Sequence, residues 1–185
     1  MANTVLQRTP RDQLPPEAGA AWDMLNGLTG EPAFIETMAS APELLDLVTN
    51  QFYGRIFFGG RVEERYKQLL RLRLSLAHGC RSCNLQNVVG TRAVGFSDEA
   101  IASIEGDRAS FSDAERAVLD FTDQMVMTNS AGQLSADLHA RLSRHFDAAQ
   151  ICELAVVAGF IGGMAKMAFV LDLVEKEAVC PLSPA

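Results

Sequence analysis

The sequence predicts an all-α fold, and three observations carry that expectation. Apolar residues recur at three- and four-residue spacing along most of the chain. Residues that start and stop helices punctuate those runs. No run of β-branched residues alternates with polar ones, as a half-buried strand requires. The 185 residues suit one core, since chains of that size need neither disulfides nor a structural metal to bury enough apolar surface. The expected organisation is an N-terminal arm over 1–16 followed by one helical domain over 17–185.

The arm is expected to be extended because Pro10, Pro15 and Pro16 fix φ and remove backbone donors. A helix follows over 18–28, with Ala21, Met24, Leu25 and Leu28 on one stripe and Gly30 as its stop. Pro32 and Pro42 occupy first-turn positions and open helices over 33–39 and 43–57, the second ended by Gly59 and Gly60. Residues 63–77 place Tyr66, Leu69, Leu70 and Leu74 on one face. Gly79 breaks that helix, and 80–94 restarts it, ending at Gly95. Ser97 caps 98–105, Ser112 with Glu115 forms a capping box before 114–128, and Ser135 caps 136–145. Asp147 with Gln150 repeats the box before a long helix over 148–175. Gly159, Gly162 and Gly163 each cost that helix about 1 kcal/mol against Ala. Close approach of a neighbouring helix is the expected reason, and a glycine-lined pocket floor the alternative.

Charge excludes several function classes. With 16 Lys and Arg against 23 Asp and Glu, the net charge of −7 disfavours nucleic acid and anionic membrane surfaces. Aromatic residues make up 7% with a single Trp, too few for a base-stacking platform. The stretch 154–171 is interrupted by Lys166, and its uncharged part, 154–165, falls short of the roughly 20 residues of a membrane span. The N-terminal residues hold no apolar run that would serve as a signal peptide. The four cysteines, Cys80, Cys83, Cys152 and Cys180, lack the regular spacing of a secreted scaffold, so a cytoplasmic protein is expected.

Chemistry concentrates in His78-Gly79-Cys80-Arg81-Ser82-Cys83-Asn84. Two cysteines at i and i+3 share a helix face, so their sulfurs can pair. Cys80 falls at a helix start, where unpaired N–H groups and the dipole favour a thiolate, and Arg81 adds a nearby cation. A zinc site would need two more ligands; His78, His139, His145, Cys152 and Cys180 are available, but no second C-x-x-C or close His pair exists. Redox use is therefore the expectation, with no metal, and a structural pair of buried thiols the alternative. Neither a Gly-x-Gly-x-x-Gly nor a Walker pattern is present, so no nucleotide cofactor is expected.

The segment from Gln68 through Cys80, Cys83 and Asn87, followed by Ala93-Val-Gly-Phe-Ser-Asp-Glu-Ala-Ile101, resembles the alkylhydroperoxidase (AhpD)-like branch of the carboxymuconolactone decarboxylase superfamily. The stretches 111–119 and 145–159 resemble the later helices of that family, so the likeness spans roughly 42–174. The resemblance implies a thiol peroxidase or disulfide reductase on a helical homo-oligomer, trimeric or hexameric, with an external thiol reductant and a hydroperoxide substrate. The family motif is Glu, eleven residues, Cys-x-x-Cys, three residues, His. Its cysteines fall on Cys80 and Cys83, its Glu on Gln68 and its His on Asn87. Both proton-handling positions thus hold amides, which orient a ligand but take up no proton near neutral pH.

His78 is a candidate substitute base; the competing reading is an exposed residue answering the helix dipole. Asn84 either bonds the thiolate or faces the bundle. The attacking cysteine stays open, helix-start position favouring Cys80 and the resemblance Cys83. Two other functions remain open. One is a cofactor-free decarboxylase, lyase or isomerase on a small carboxylated ring compound, met by Arg71, Arg73 or Lys166. The other is a non-catalytic assembly protein in which Met125, Met127, Met164 and Met167 line core or interfaces.

Overall fold

A computed structural model describes residues 6–177, so Cys180 lies outside the described residues. The elements in order are a 3-10 turn Arg11–Gln13, α1 (Pro16–Thr29), α2 (Ala33–Met38), α3 (Pro42–Asp46) running into a π-helical segment Leu47–Phe57, α4 (Glu64–His78), α5 (Arg81–Ala93), α6 (Asp98–Ala102), α7 (Asp113–Gln124), α8 (Ala136–Leu142) and α9 (Ala148–Val170). The fold is all-α. Among the described residues the one β-type pairing is an isolated bridge between Cys80 and Lys176.

The centre is α4, because leucine occupies more than one of its faces. Leu70 and Leu74 join Phe52, Val118 and Leu154 in one cluster, while Leu69, Leu72 and Leu76 join Val88, Ile101 and Leu119 in another. A helix apolar on two sides must be covered on two sides, and α4 packs against α5, α7 and α9. Helix starts follow local side-chain chemistry. Ser97 and Ser135 accept the expected backbone N–H bonds, and the boxes at Ser112 with Glu115 and Asp147 with Gln150 are complete.

Several helices depart from the sequence expectation. Those over 98–105, 114–128 and 136–145 stop earlier, at Ala102, Gln124 and Leu142. The expected helix over 43–57 turns π-helical from Leu47, with Phe58 N–H bonding Tyr53 O at 2.9 Å. Buried Val48, Phe52 and Phe57 are spaced by four and then five, which the wider winding keeps on one side. Phe52 stacks on Phe160 of α9 at 3.9 Å, a tertiary contact that holds this register. The last helix stops at Val170 rather than running to 175. Leu173 N–H bonds Ala168 O at 2.9 Å across Asp172, whose φ is +54°, and Leu173 is buried. Of the glycines of α9 only buried Gly162 faces a neighbouring helix, where a Cβ would lie 4.0 Å from His78 Cε1 of α4, while a Cβ on Gly159 or Gly163 would touch nothing. Gly159 and Gly163, with Val156 and Val170, form an open stripe on α9. By length and composition α9 could cross a membrane, yet Leu154, Val157 and Ala158 are fully buried in the bundle.

One buried ion pair ties three elements together. Glu153 Oε1 accepts from Lys67 Nζ and Val62 N–H, both at 3.1 Å, and its Oε2 accepts from Arg61 N–H at 2.7 Å. Lys67 also donates to Ile56 O at 2.8 Å. Burial pushes the Glu153 carboxyl up, but the two backbone amides and Lys67 together outweigh it and hold the group below its usual range. A depressed carboxyl contributes stability above its unfolded pKa and loses it as pH falls through the folded value. Glu153→Ala strands an ammonium and two amides, so we expect a loss of about 3–5 kcal/mol in urea unfolding at neutral pH. A loss below about 1 kcal/mol would show that water replaces the carboxylate.

Candidate active site

The cysteine pair is built by the turn between α4 and α5. Gly79 takes φ 63° and ψ 45°, a left-handed cap favoured by glycine, and Cys80 N–H returns to Ser75 O at 3.1 Å. Cys80 then becomes the N-cap of α5, its sulfur accepting the Cys83 N–H at 3.3 Å. The two cysteines are joined by a disulfide, with their Cα atoms 5.2 Å apart. Cys80 is fully buried, packed with Ala33, Ala168, Leu173 and Val174, whereas Cys83 is partly exposed. The strap 175–177 lies over the turn: Arg81 N–H bonds Glu175 O at 3.1 Å, and Glu177 N–H bonds Gly79 O at 2.7 Å. Arg81 points away to Glu31 Oε1 (2.9 Å) and Thr29 O (3.1 Å), so its charge is already answered.

The other sequence candidates line the seam between α4 and α5. Asn87 sits one turn beyond Cys83 and is buried; its Nδ2 donates to Arg71 O at 3.2 Å while its Oδ1 accepts from Arg71 Nε. Gln68 is buried further along, donating from Nε2 to Glu64 Oε1 at 2.9 Å, with its own Oε1 buried and unpartnered. Gly90 makes room for it, since a Cβ there would lie 2.6 Å from Gln68 Oε1. Gly90 is seven residues past Cys83, about 10 Å of helix axis, so the two amides are not equally close to the sulfurs. Asn84 faces the interior with both polar atoms buried and unpartnered.

The sequence points to Arg71 without its partners and does not single out Glu64. The i,i+4 spacing of Glu64 and Gln68 was the available signal. For Arg71 the signal was weaker, a cation between leucines. The guanidinium is half-buried, 5.7 Å from the Tyr53 ring and 5.3 Å from the Phe57 ring, and burial lowers its pKa below the ordinary arginine value. Two open depressions of about 280 and 250 Å³ lie on the side of α7 and α8, around Asp120, Asp137, Arg141 and His145, and touch none of these residues. Among the described residues no three His, Cys, Asp or Glu side chains converge on a metal position.

Comparisons with known proteins agree with this geometry. Residues 42–124, which contain the whole Gln68–Asn87 motif, match the carboxymuconolactone decarboxylase family. Over those residues the chain is similar to the carboxymuconolactone decarboxylase family, and its fold is shared with AhpD-like proteins. A protein of unknown function from Agrobacterium tumefaciens, associated with AhpD-type antioxidant defence, is 26% identical over 72% of this chain and 91% of its own, with a TM-score of 0.63. An uncharacterised peroxidase-related protein with an AhpD core from Ralstonia eutropha JMP134 shares the fold at 14% identity, 98% coverage of both chains and a TM-score of 0.71. The debrominase Bmp8, solved as a cysteine-to-alanine variant in complex with 2,3,4-tribromopyrrole, shares the fold at 16% identity, covering 95% of this chain and 93% of its own, with a TM-score of 0.71. No curated protein matches the chain in sequence. Family and neighbours together suggest an enzyme.

Within this AhpD-like frame, His78 is half-buried at the end of α4, not an exposed tip. Its Nε2 accepts the Met127 N–H at 3.2 Å and its Nδ1 is buried without a partner. The basic lone pair is therefore already engaged. Burial first, and the Arg73 charge second, lower its pKa below the ordinary imidazole value. A histidine with a depressed folded pKa contributes stability above its unfolded pKa and loses it as pH falls. In an NMR titration the His78 ring should stay neutral to lower pH than an ordinary imidazole. Titration of His78 above its ordinary value would overturn this reading of its environment.

Proposed function

We propose that this chain is a thiol-dependent peroxidase or disulfide oxidoreductase working through Cys83 and Cys80. The observation that supports this most is the bonded pair at the start of α5, one sulfur sealed and the other reachable. Exposure favours Cys83 as the attacking thiolate, since Cys80 is fully buried among Ala33, Ala168, Leu173 and Val174. Cys83 sulfur attacks the O–O bond, takes one oxygen as a sulfenic acid, and the alkoxide leaves as the alcohol with a proton. Cys80 thiolate, stabilised at the N-cap, then displaces that oxygen as water and closes the disulfide. An external dithiol returns two electrons by thiol–disulfide exchange. A reducing cytoplasm would supply such a thiol, and the open stripe of Val156, Gly159, Gly163 and Val170 suits a homo-oligomer.

Gln68 and Asn87 orient rather than transfer protons, and Asn87 is held by Arg71. Loss of a positioned base typically costs about 10²–10⁴ in rate, so turnover should be slow. We expect consumption of cumene hydroperoxide with dithiothreitol to vanish in Cys83→Ser and Cys80→Ser. It should rise at least about tenfold in Gln68→Glu with Asn87→His. Turnover surviving both cysteine changes would contradict the proposal.

A further inference from the structure

Four cations stand on α4, and three are answered. Arg65 pairs with Glu115, Lys67 with Glu153, and Arg73 with Asp123 at 2.7 Å. Arg71 is the fourth, and among the described residues no carboxylate lies within ion-pair distance of it. Glu64, the acidic group nearest to it along α4, is occupied by the Gln68 amide. Glu64 acts on the guanidinium only from beyond ion-pair distance, and burial outweighs it, so a half-buried cation with no carboxylate in contact carries a desolvation cost that an arriving anion would relieve.

The guanidinium is also held in one orientation. Asn87 Oδ1 takes the Nε hydrogen, and the rings of Tyr53 and Phe57 flank the plane. Neither Nη makes a hydrogen bond among the described residues, and neither is sealed from solvent. What remains open is the paired Nη donor edge, the fork that matches a carboxylate. Since the neighbouring cations are already paired, the site offers one fork and one positive charge, suited to a monoanion more than to a phosphate. The wall beside it is apolar and aromatic: Phe58 packs edge-on against Phe57 at 5.0 Å and is 54% exposed. Asn87, which holds the fork, is one helical turn, about 6 Å of axis, from Cys83.

We propose that Arg71 anchors a carboxylate carried on an apolar body, holding the far end of that molecule within reach of Cys83. Tyr53, Phe57 and Phe58 take up the apolar body, and Asn87 positions the guanidinium without touching the ligand. The substrate class is then a carboxylated organic hydroperoxide. That statement rests on the thiol chemistry proposed above; the anion site itself does not.

The test is calorimetric titration of the disulfide form with benzoate and, as the uncharged control, benzyl alcohol. We expect saturable benzoate binding that is at least tenfold weaker in Arg71→Met, intermediate in Arg71→Lys, and undetectable for benzyl alcohol. In wild-type protein labelled with ¹⁵N-arginine, benzoate should shift the Arg71 side-chain signal, assigned by its loss in Arg71→Lys, so the result does not depend on Arg71→Met folding. Equal benzoate affinity in wild type and a folded Arg71 variant, no saturable heat at millimolar benzoate, or equal binding of benzyl alcohol would each overturn the site. In turnover, the preference for a carboxylated over a neutral hydroperoxide should fall at least tenfold in Arg71→Lys. Arg71-dependent benzoate binding without any hydroperoxide turnover would uphold the anchor and sink the peroxidase reading. Hydroperoxide turnover with benzoate binding independent of Arg71 would sink the anchor alone.

Discussion

The left-handed conformation at Gly79 sets the geometry of the whole site. A residue with a Cβ would be strained there by about 1–2 kcal/mol, and the reversal of α4 into α5 needs that conformation within one residue. The turn makes Cys80 an N-cap instead of an interior residue, which aims the Cys83 amide at its sulfur. It also lays α5 back along α4, so that Asn87 meets Arg71 and Gly90 meets Gln68. The Gly79 and Arg81 backbones hold the strap 175–177, and residues from α2 and the end of α9 seal Cys80. The disulfide and the Arg71–Asn87 contact thus share one backbone reversal.

Electrostatics around α4 divides into two kinds of work. Arg65, Lys67 and Arg73 tie the helix to α7 and α9 through carboxylates on those neighbours. The Lys67–Glu153 pair is the most enclosed of these and tolerates burial because backbone amides take up the remaining carboxylate lone pairs. Arg71 faces a different neighbourhood, an amide and aromatic rings. Three cations of α4 touch carboxylates; Arg71 touches an amide and two rings instead. The amides at positions 68 and 87 hydrogen-bond the charged side chains of Glu64 and Arg71.

What could be read from the sequence was whatever local chemistry decides. The capping boxes of α7 and α9, the break at Gly79 and the N-terminal placement of Cys80 are set by residues within one turn of each other, and all were legible. The π winding over 47–57 was not, because it depends on Phe52 finding Phe160 in a distant helix. Nor was the early end of α9, which follows from Leu173 entering the core and the strap pairing with Gly79 and Arg81. Within the site, the sequence identified the sulfurs but could not rank them, since the difference in exposure comes from residues 33 and 168–174. Arg71 appeared only as one of three cations; that no carboxylate of a neighbouring helix pairs with it is a property of what those helices lack.

Whether Cys80 and Cys83 form a working redox pair is decided by counting reactive thiols. Fully reduced protein would be treated with one equivalent of cumene hydroperoxide, alkylated, and measured by intact mass with peptide mapping. We expect loss of two alkylation sites, mapped to Cys80 and Cys83, with Cys152 still modified and both sites restored by dithiothreitol. If Cys80 and Cys83 remain fully alkylatable after the hydroperoxide, the pair does not carry peroxide chemistry and the proposed function is contradicted.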